Sequence, residues 1–267
     1  MITSPVVRGF GGKWNLGPWI ISHFPEHVCY VEPFCGGAAV LFRKPLSDVE
    51  VINDLNGEIL NFFDVLRDQP DALIRAIELT PYSRAEHQRA MILSDNPIER
   101  ARRFYVRSQQ SFSSGEASRV PSWRFQVNGH SLVNRWNKTS HLYAAAYRLK
   151  NVQLECDTAE AIITRFDSPD TLFYVDPPYV HSTRTSKDDY AFEMTDDEHR
   201  TLAAQLNSVS GMVILSGYDC DLYRDLYTGW KFVSIETDTV QKTKRIECLW
   251  INQNAQRSQR KTREMFS

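Results

Sequence analysis

Apolar positions in this 267-residue chain fall into two alternating rhythms. Runs dense in β-branched and aromatic residues at 28–32, 50–54, 152–156, 171–175 and 212–216 read as strands. The last two are almost wholly apolar, the pattern of strands buried on both faces. Between the strands, apolar residues return at three- and four-residue spacing over 58–66, 159–163 and 196–206, which predicts helices. A further helix is expected to start at Gly36-Gly37. Late runs at 231–235 and 246–251 predict an antiparallel hairpin. Strand and helix in alternation specify an α/β fold, a doubly wound, Rossmann-like sheet covered on both faces and made mixed by the hairpin.

The rhythm breaks between residues 67 and 150, which read as helices around a Ser/Gly/Pro-rich stretch at 111–122. An insertion of that length exceeds an ordinary connection and is expected to form a helical lobe. Residues 1–66 and 151–267 would then build the sheet domain. Charge adds to this picture. The chain carries a net −2, yet residues 97–150 hold eight Arg and two Lys against Glu99 and Glu116. That is +8 locally, leaving −10 for the remainder. A second basic stretch runs through Lys242, Lys244, Arg245, Arg257, Arg260, Lys261 and Arg263. Such asymmetry suits either a polyanion partner or a solvated helix face.

At 42% apolar the chain can bury one sizeable core. No run approaches the roughly 20 apolar residues of a membrane span, and the first residues lack a signal-peptide pattern. Five cysteines without a CxxC pair indicate neither a zinc site nor a disulfide framework. The expectation is a reduced, cytoplasmic protein needing no metal.

Asp176-Pro177-Pro178-Tyr179, directly after the 171–175 strand, carries the clearest chemistry. A carboxylate and the Pro177 carbonyl can accept both protons of an exocyclic amine, since neither group donates. Proline fixes φ and has no N–H, so this carbonyl is held without a competing donor. Tyr179 can stack on the flat ring that bears the amine. His181 stands nearby, but the amine can lose its proton to solvent and no general base is assigned.

Three other strand ends suggest a nucleoside cleft. The first ends in Glu32-Pro33-Phe34-Cys35-Gly36-Gly37, where glycines let backbone approach a ligand closely. Asp54, 18 residues beyond Gly36, could accept hydrogen bonds from ribose hydroxyls or cap the next helix. Asp157 could accept from an adenine amino group or act as another cap. With no phosphate-binding loop in the chain, S-adenosylmethionine fits this set better than NAD or ATP.

In order and type these motifs resemble the D12 (Dam-type) DNA adenine-N6 methyltransferases, phage-like members especially, nearly end to end. Gly11-Gly12-Lys13-Trp14 is similar to the family's N-terminal cofactor motif, residues 32–37 to its glycine motif, and Asn53-Asp54-Leu55-Asn56 to its ribose motif. Asp176-Pro177-Pro178-Tyr179 is similar to its catalytic motif, and residues 247–252 to its closing strand. Many members carry an aromatic two positions before Gly-Gly-Lys, where this chain has Gly9 followed by Phe10.

The resemblance implies a class I methyltransferase sheet with an inserted helical DNA-recognition lobe. It also implies methyl transfer from S-adenosylmethionine to N6 of a flipped-out adenine in double-stranded DNA, by a monomer or a weak dimer on DNA. Asp176, Pro177, Pro178 and Tyr179 would be catalytic. Phe10, Gly12, Lys13, Phe34, Cys35, Gly36, Gly37, Asp54, Asp157 and Asp176 would meet the cofactor, although Lys13 taken alone could equally be a solvated lysine. Arg107, Ser111, Arg119, Arg124 and Arg184 would meet DNA. The competing expectations are another amine acceptor, such as cytosine N4 or an RNA base, and a DNA-binding relative without catalysis.

Overall fold

Alternate residues of the central strands enter two different cores. Tyr30, Ile52, Leu172, Tyr174 and Ile214 belong to one apolar cluster, and Val31, Val51, Phe173, Val175, Val213 and Leu215 to another. The computed structural model describes residues 2–9, 12–112, 122–128, 131–183, 192–238 and 244–265. Its seven strands are β1 (Cys29–Glu32), β2 (Val49–Asn53), β3 (Gln153–Glu155), β4 (Thr171–Val175), β5 (Met212–Gly217), β6 (Lys231–Asp238) and β7 (Lys244–Ile251). They form one sheet in the order β3-β2-β1-β4-β5-β7-β6. Pairing is parallel from β3 to β5, and β7 lies antiparallel between β5 and β6. The predicted hairpin is therefore β6–β7, in register from Lys231↔Ile251 to Asp238↔Lys244.

One face is covered by α8 (Ala159–Phe166), α9 (Asp196–Ser208) and α10 (Asp221–Leu226), which contribute Ile162, Ile163, Leu202, Leu206 and Tyr223. Thr195 and Glu198 close a capping box at the start of α9. On the other face lie α1 (Gly17–Ile21), α2 (Gly57–Asp68), α3 (Pro70–Glu78), α4 (Arg84–Arg89), α5 (Pro97–Gln110), α6 (Leu132–Trp136), α7 (Ser140–Leu149) and α11 (Gln253–Met265). Phe62, Phe63, Leu73, Phe104, Trp136, Leu142 and Leu149 join the same cluster as Tyr30 and Ile52. The helices of residues 67–150 thus share one core with the sheet, and α2, which packs on α3, α5 and α7, is their centre.

Two expectations change. Residues 36–44 form successive turns in place of a helix. Gly36 and Ala38 sit at φ +46° and +49°, outside the helical region, and the Leu41 amide donates to Glu32 Oε1 at 2.7 Å. Half of the ten basic residues of 97–150 are also ion-paired to carboxylates among the described residues. Arg100 and Arg107 both pair with Glu58 of α2, Arg102 and Arg103 with Glu99, Arg102 also with Glu86, and Arg148 with Glu50. Much of that local excess is the insertion's half of ion pairs, two of whose carboxylates, Glu50 and Glu58, lie outside it.

Glu50 is the most buried of these carboxylates, holding Lys44 Nζ at 2.6 Å as well as Arg148, with side-chain exposures of 1% and 2% for Glu50 and Lys44. Removing one partner of such a network leaves a buried charge uncompensated. Glu50→Ala is expected to lower unfolding free energy in urea by about 3–5 kcal/mol. Asp68→Ala, which breaks the exposed pair with Arg67, should cost under about 1 kcal/mol. Equal losses at the two positions would show that burial adds nothing here.

Candidate active site

Strand order reverses between β1 and β4, since the chain winds outward from β1 to β2 and β3 on one side and from β4 to β5 on the other. In an open parallel sheet that reversal opens a crevice beyond the carboxyl ends of the strands. The loops leaving β1 and β4 are residues 33–37 and 176–179, so the two clearest motifs face one crevice.

Asn53, fully buried at the end of β2, ties three strand ends together. Its Nδ2 donates to the Pro33 and Asp157 carbonyls, each at 2.9 Å, and its Oδ1 accepts the Asp157 amide at 2.8 Å. The Asn53 carbonyl accepts the Cys35 amide at 2.8 Å. Cys35 itself is buried, and Phe34 packs against the second core cluster. A Cβ on Gly37 would come within 3.0 Å of the Val7 carbonyl oxygen, whereas nothing lies within 4 Å of one built on Gly36. The loop is therefore closed behind Gly37 and open at Gly36.

Asp54 lies against the open side. Its Oδ2 accepts the Gly36 amide and its Oδ1 the Asn56 amide, both at 2.9 Å. Burial raises its pKa against the pull of those two amides. The cap of α2 is Asn56, which accepts from the Glu58 amide, so Asp54 braces the glycine loop and caps nothing. Each of its oxygens keeps a lone pair for a hydroxyl. A glycine surface with room for a ligand beside a half-buried acceptor fits the nucleoside part of S-adenosylmethionine.

Asp157 does not cap the helix that follows it. Its carboxylate is exposed, accepts the Thr158 amide at 2.8 Å and pairs with Arg165 at 2.9 Å, while Thr158 provides the cap of α8. The amide and the ion pair hold its pKa below the ordinary aspartate value. Phe10 lies outside the described residues. Gly12 is exposed.

The corner after β4 gathers charge. Lys13 Nζ lies 3.0 Å from Asp176 Oδ2, with side-chain exposures of 6% and 18%, so Lys13 is not a solvated lysine. The same ammonium stands over the Tyr179 ring, 4.8 Å from its centroid. Asp176 Oδ1 is buried and accepts no hydrogen bond among the described residues. Burial disfavours charge on both partners. For Lys13 it is outweighed by Asp176 and then Glu247, and the ammonium's pKa rises. For Asp176 burial prevails over Lys13, and the carboxyl pKa rises. Tyr179 is 4% exposed, donates its hydroxyl to Glu247 Oε2 at 3.0 Å and meets Tyr218 edge-on at 4.6 Å. Pro177 is buried and Pro178 partly so. His181, on a short 3-10 turn (His181–Thr183), stands 3.9 Å from Glu193.

The expected DNA contacts separate into two groups. Arg107 is engaged by Glu58 at 2.9 Å and by the Ala90 carbonyl at 2.7 Å, and Ser111 is buried against His87 Nε2 at 3.0 Å. Both therefore serve the helical layer, because their polar atoms are already satisfied inside it. Arg119 and Arg184 lie outside the described residues. Arg124 has no carboxylate partner among the described residues, and its backbone is held by the Gln110 carbonyl and by the Tyr82 hydroxyl, both at 2.7 Å. Burial, then repulsion from Arg135 and Arg124, lowers the pKa of Arg8. Three guanidiniums from three segments thus converge around Tyr82, whose ring touches Trp123 and Trp136.

Arg8, Arg135 and Tyr218 carry no motif signal that marks them in advance, and Asn53 stood in the ribose-like motif without being singled out as a site residue. Glu247 lay in the strand resembling the closing motif, and only the register of β7 turns it toward Tyr179.

The sequence profile of the D12 class N6 adenine-specific DNA methyltransferases matches residues 10–242. The chain is 25% identical over 274 residues to the type II methyltransferase M.MjaIII of Methanocaldococcus jannaschii, covering 88% of this chain and 91% of that one. It is 25% identical over 248 residues to the DNA adenine methylase of Haemophilus influenzae, covering 87% and 85%. A putative methyltransferase from Streptococcus mutans, solved in complex with SAH, aligns over 94% of this chain and all of its own, with 9% identity and a TM-score of 0.38. The chain belongs to the D12 class of N6 adenine-specific DNA methyltransferases, and it transfers a methyl group from S-adenosylmethionine to adenine N6 in duplex DNA.

Proposed function

We propose that residues 176–179 receive an adenine turned out of the duplex and that the Lys13 ammonium holds the place of its amino group until it arrives. One observation carries this reading: a nitrogen bearing several N–H donors already sits 3.0 Å from Asp176 and over the Tyr179 ring. An exocyclic amine on a stacked purine needs the same pair of partners. Asp176 Oδ1 and the Pro177 carbonyl supply the further acceptors.

Extruding a stacked, paired nucleotide costs a few kcal/mol. Stacking on Tyr179 offsets part of this, at roughly 1–3 kcal/mol per base. As the amine enters, the flexible Lys13 side chain withdraws and leaves Asp176 to N6. Bound at the glycine loop, S-adenosylmethionine supplies an electrophilic methyl group on a sulfonium. Gly12, Phe34, Cys35, Gly36, Gly37 and Asp54 border that position, and Asp54 holds the ribose side. Adenine N6 is a weak nucleophile that gains positive charge during transfer, so a fixed anion beside it stabilises the transition state more than the ground state. Burial strengthens that effect by removing competing water. After transfer the proton leaves N6 for solvent. Arg8, Arg124 and Arg135 contact backbone phosphates, since no carboxylate among the described residues neutralises them.

Incubating the protein with duplex DNA and labelled S-adenosylmethionine, then identifying the labelled nucleoside by mass spectrometry, tests the acceptor. N6-methyl-2′-deoxyadenosine is expected, and N4-methyl-2′-deoxycytidine would overturn the assignment. Asp176→Ala should lower kcat by about 10²–10³-fold, the size of losing one electrostatic stabiliser, while cofactor binding by calorimetry is retained. Full activity would remove Asp176 from the mechanism.

The pH profile has a defined sign. Only ionised Asp176 works, and burial raises its pKa, so kcat/KM, which reports the free enzyme, should fall on acidification with a midpoint above the ordinary aspartate value. Lys13 opposes that rise in the free enzyme, so the acid limb of kcat/KM for Lys13→Met should move to still higher pH. Arg124→Ala and Arg135→Ala should weaken DNA binding about equally across sequences. Each should also reduce the slope of log affinity against log salt by about 1, read by fluorescence anisotropy.

A further inference from the structure

The catalytic corner contains a carboxylate that the mechanism above leaves unused. Glu247, on the one antiparallel strand of the sheet's interior, reaches the corner because its register sets it beside Gly217 and Tyr218 at the end of β5, where Gly217 pairs with Cys248. Its Oε2 accepts the Tyr179 hydroxyl at 3.0 Å. The opposite constraint on that ring comes from Tyr218, which meets it edge-on at 78°, and Arg245 donates to the Tyr218 hydroxyl at 3.2 Å. The ring of Tyr179 is thus held at its hydroxyl and along one edge, and Lys13 stands on its face.

We propose that Glu247 is a positioning residue for base capture: by accepting the hydrogen bond of the Tyr179 hydroxyl it sets the plane of the stacking ring. The inference rests on the reading of Tyr179 as the platform for the extruded base. Asp176 and Glu247 both act electrostatically on Lys13. The Tyr179 hydroxyl also acts on Asp176, opposing the rise that burial imposes on that carboxyl's pKa, so the phenol lies between two carboxylates. Glu247 can anchor it because an ionised carboxylate accepts and never donates.

The test is a double-mutant cycle read in kcat and in KM for duplex DNA, with cofactor binding measured separately by calorimetry. Glu247→Ala should raise the DNA KM about tenfold, the loss of one hydrogen bond to a charged acceptor, with cofactor affinity unchanged. Glu247→Gln, which keeps an acceptor oxygen without the charge, should restore most of that loss and also shows that the position tolerates substitution. In a Tyr179→Phe background, Glu247→Ala should add no further defect, because the hydroxyl through which it acts is gone. Multiplying defects in the double variant would overturn the proposal, as would a Glu247→Gln variant no better than Glu247→Ala. If Tyr179→Ala itself left the DNA KM unchanged, the failure would lie with the platform reading and not with Glu247.

Discussion

The buried ion pair between Lys13 and Asp176 is the interaction around which the rest of the site is arranged. An aspartate removed from water at the mouth of a parallel sheet is costly unless something compensates it. Here the compensation is a single lysine delivered from the N-terminal segment, 163 positions earlier in the chain. That lysine must itself be held, and its surroundings follow from this need. The Tyr179 ring lies beneath the ammonium, Glu247 adds a second negative group, and Tyr218 packs the ring from the side. A hydrogen-bond acceptor left buried and unpartnered, Asp176 Oδ1, persists because this framework holds it open. Such an unsatisfied group is a loss for stability and a gain for binding a donor.

The sheet makes this arrangement possible. Reversal of strand order at β1 and β4 brings the glycine loop and residues 176–179 to one crevice, although 140 positions separate Gly36 from Asp176. Asn53 then fixes the crevice's other wall by joining the ends of β1, β2 and β3 through its one side-chain amide. A buried Asn with all its donors and acceptors used by backbone leaves little freedom for the loops around it. The open space beyond Gly36 is a consequence of that rigidity as much as of the missing side chain.

Charge in the insertion illustrates how composition can mislead. Ten basic residues against two acidic ones between 97 and 150 suggest a surface built for a polyanion. In the folded protein Arg100, Arg102, Arg103, Arg107 and Arg148 all meet carboxylates. Glu50 and Glu58, on the sheet side, complete much of that network, so the apparent excess is one half of an interface. Among the described residues of 97–150, Arg124 and Arg135 have no carboxylate partner, and Arg8, from outside the insertion, lies with them near Tyr82.

Alternation of apolar runs was enough to specify an α/β sheet with a terminal hairpin, because burial on both faces demands near-continuous apolar strands and leaves a period that local composition records. The motif at 176–179 was equally legible, since rigid prolines, a carboxylate and an aromatic occur together in one short segment. Other features depended on contacts distant in sequence. Whether Asp54 caps a helix or braces a loop, whether Asp157 is available, and whether Arg107 faces outward were decided by partners on other segments: Gly36, Arg165 and Glu58. The turns after Gly36 stand in place of the expected helix, with positive φ at Gly36 and Ala38 and the Leu41 amide bonded to Glu32. Local pattern carries secondary structure and strand order constrains the crevice, but the pairing of buried charges is a property of tertiary packing alone.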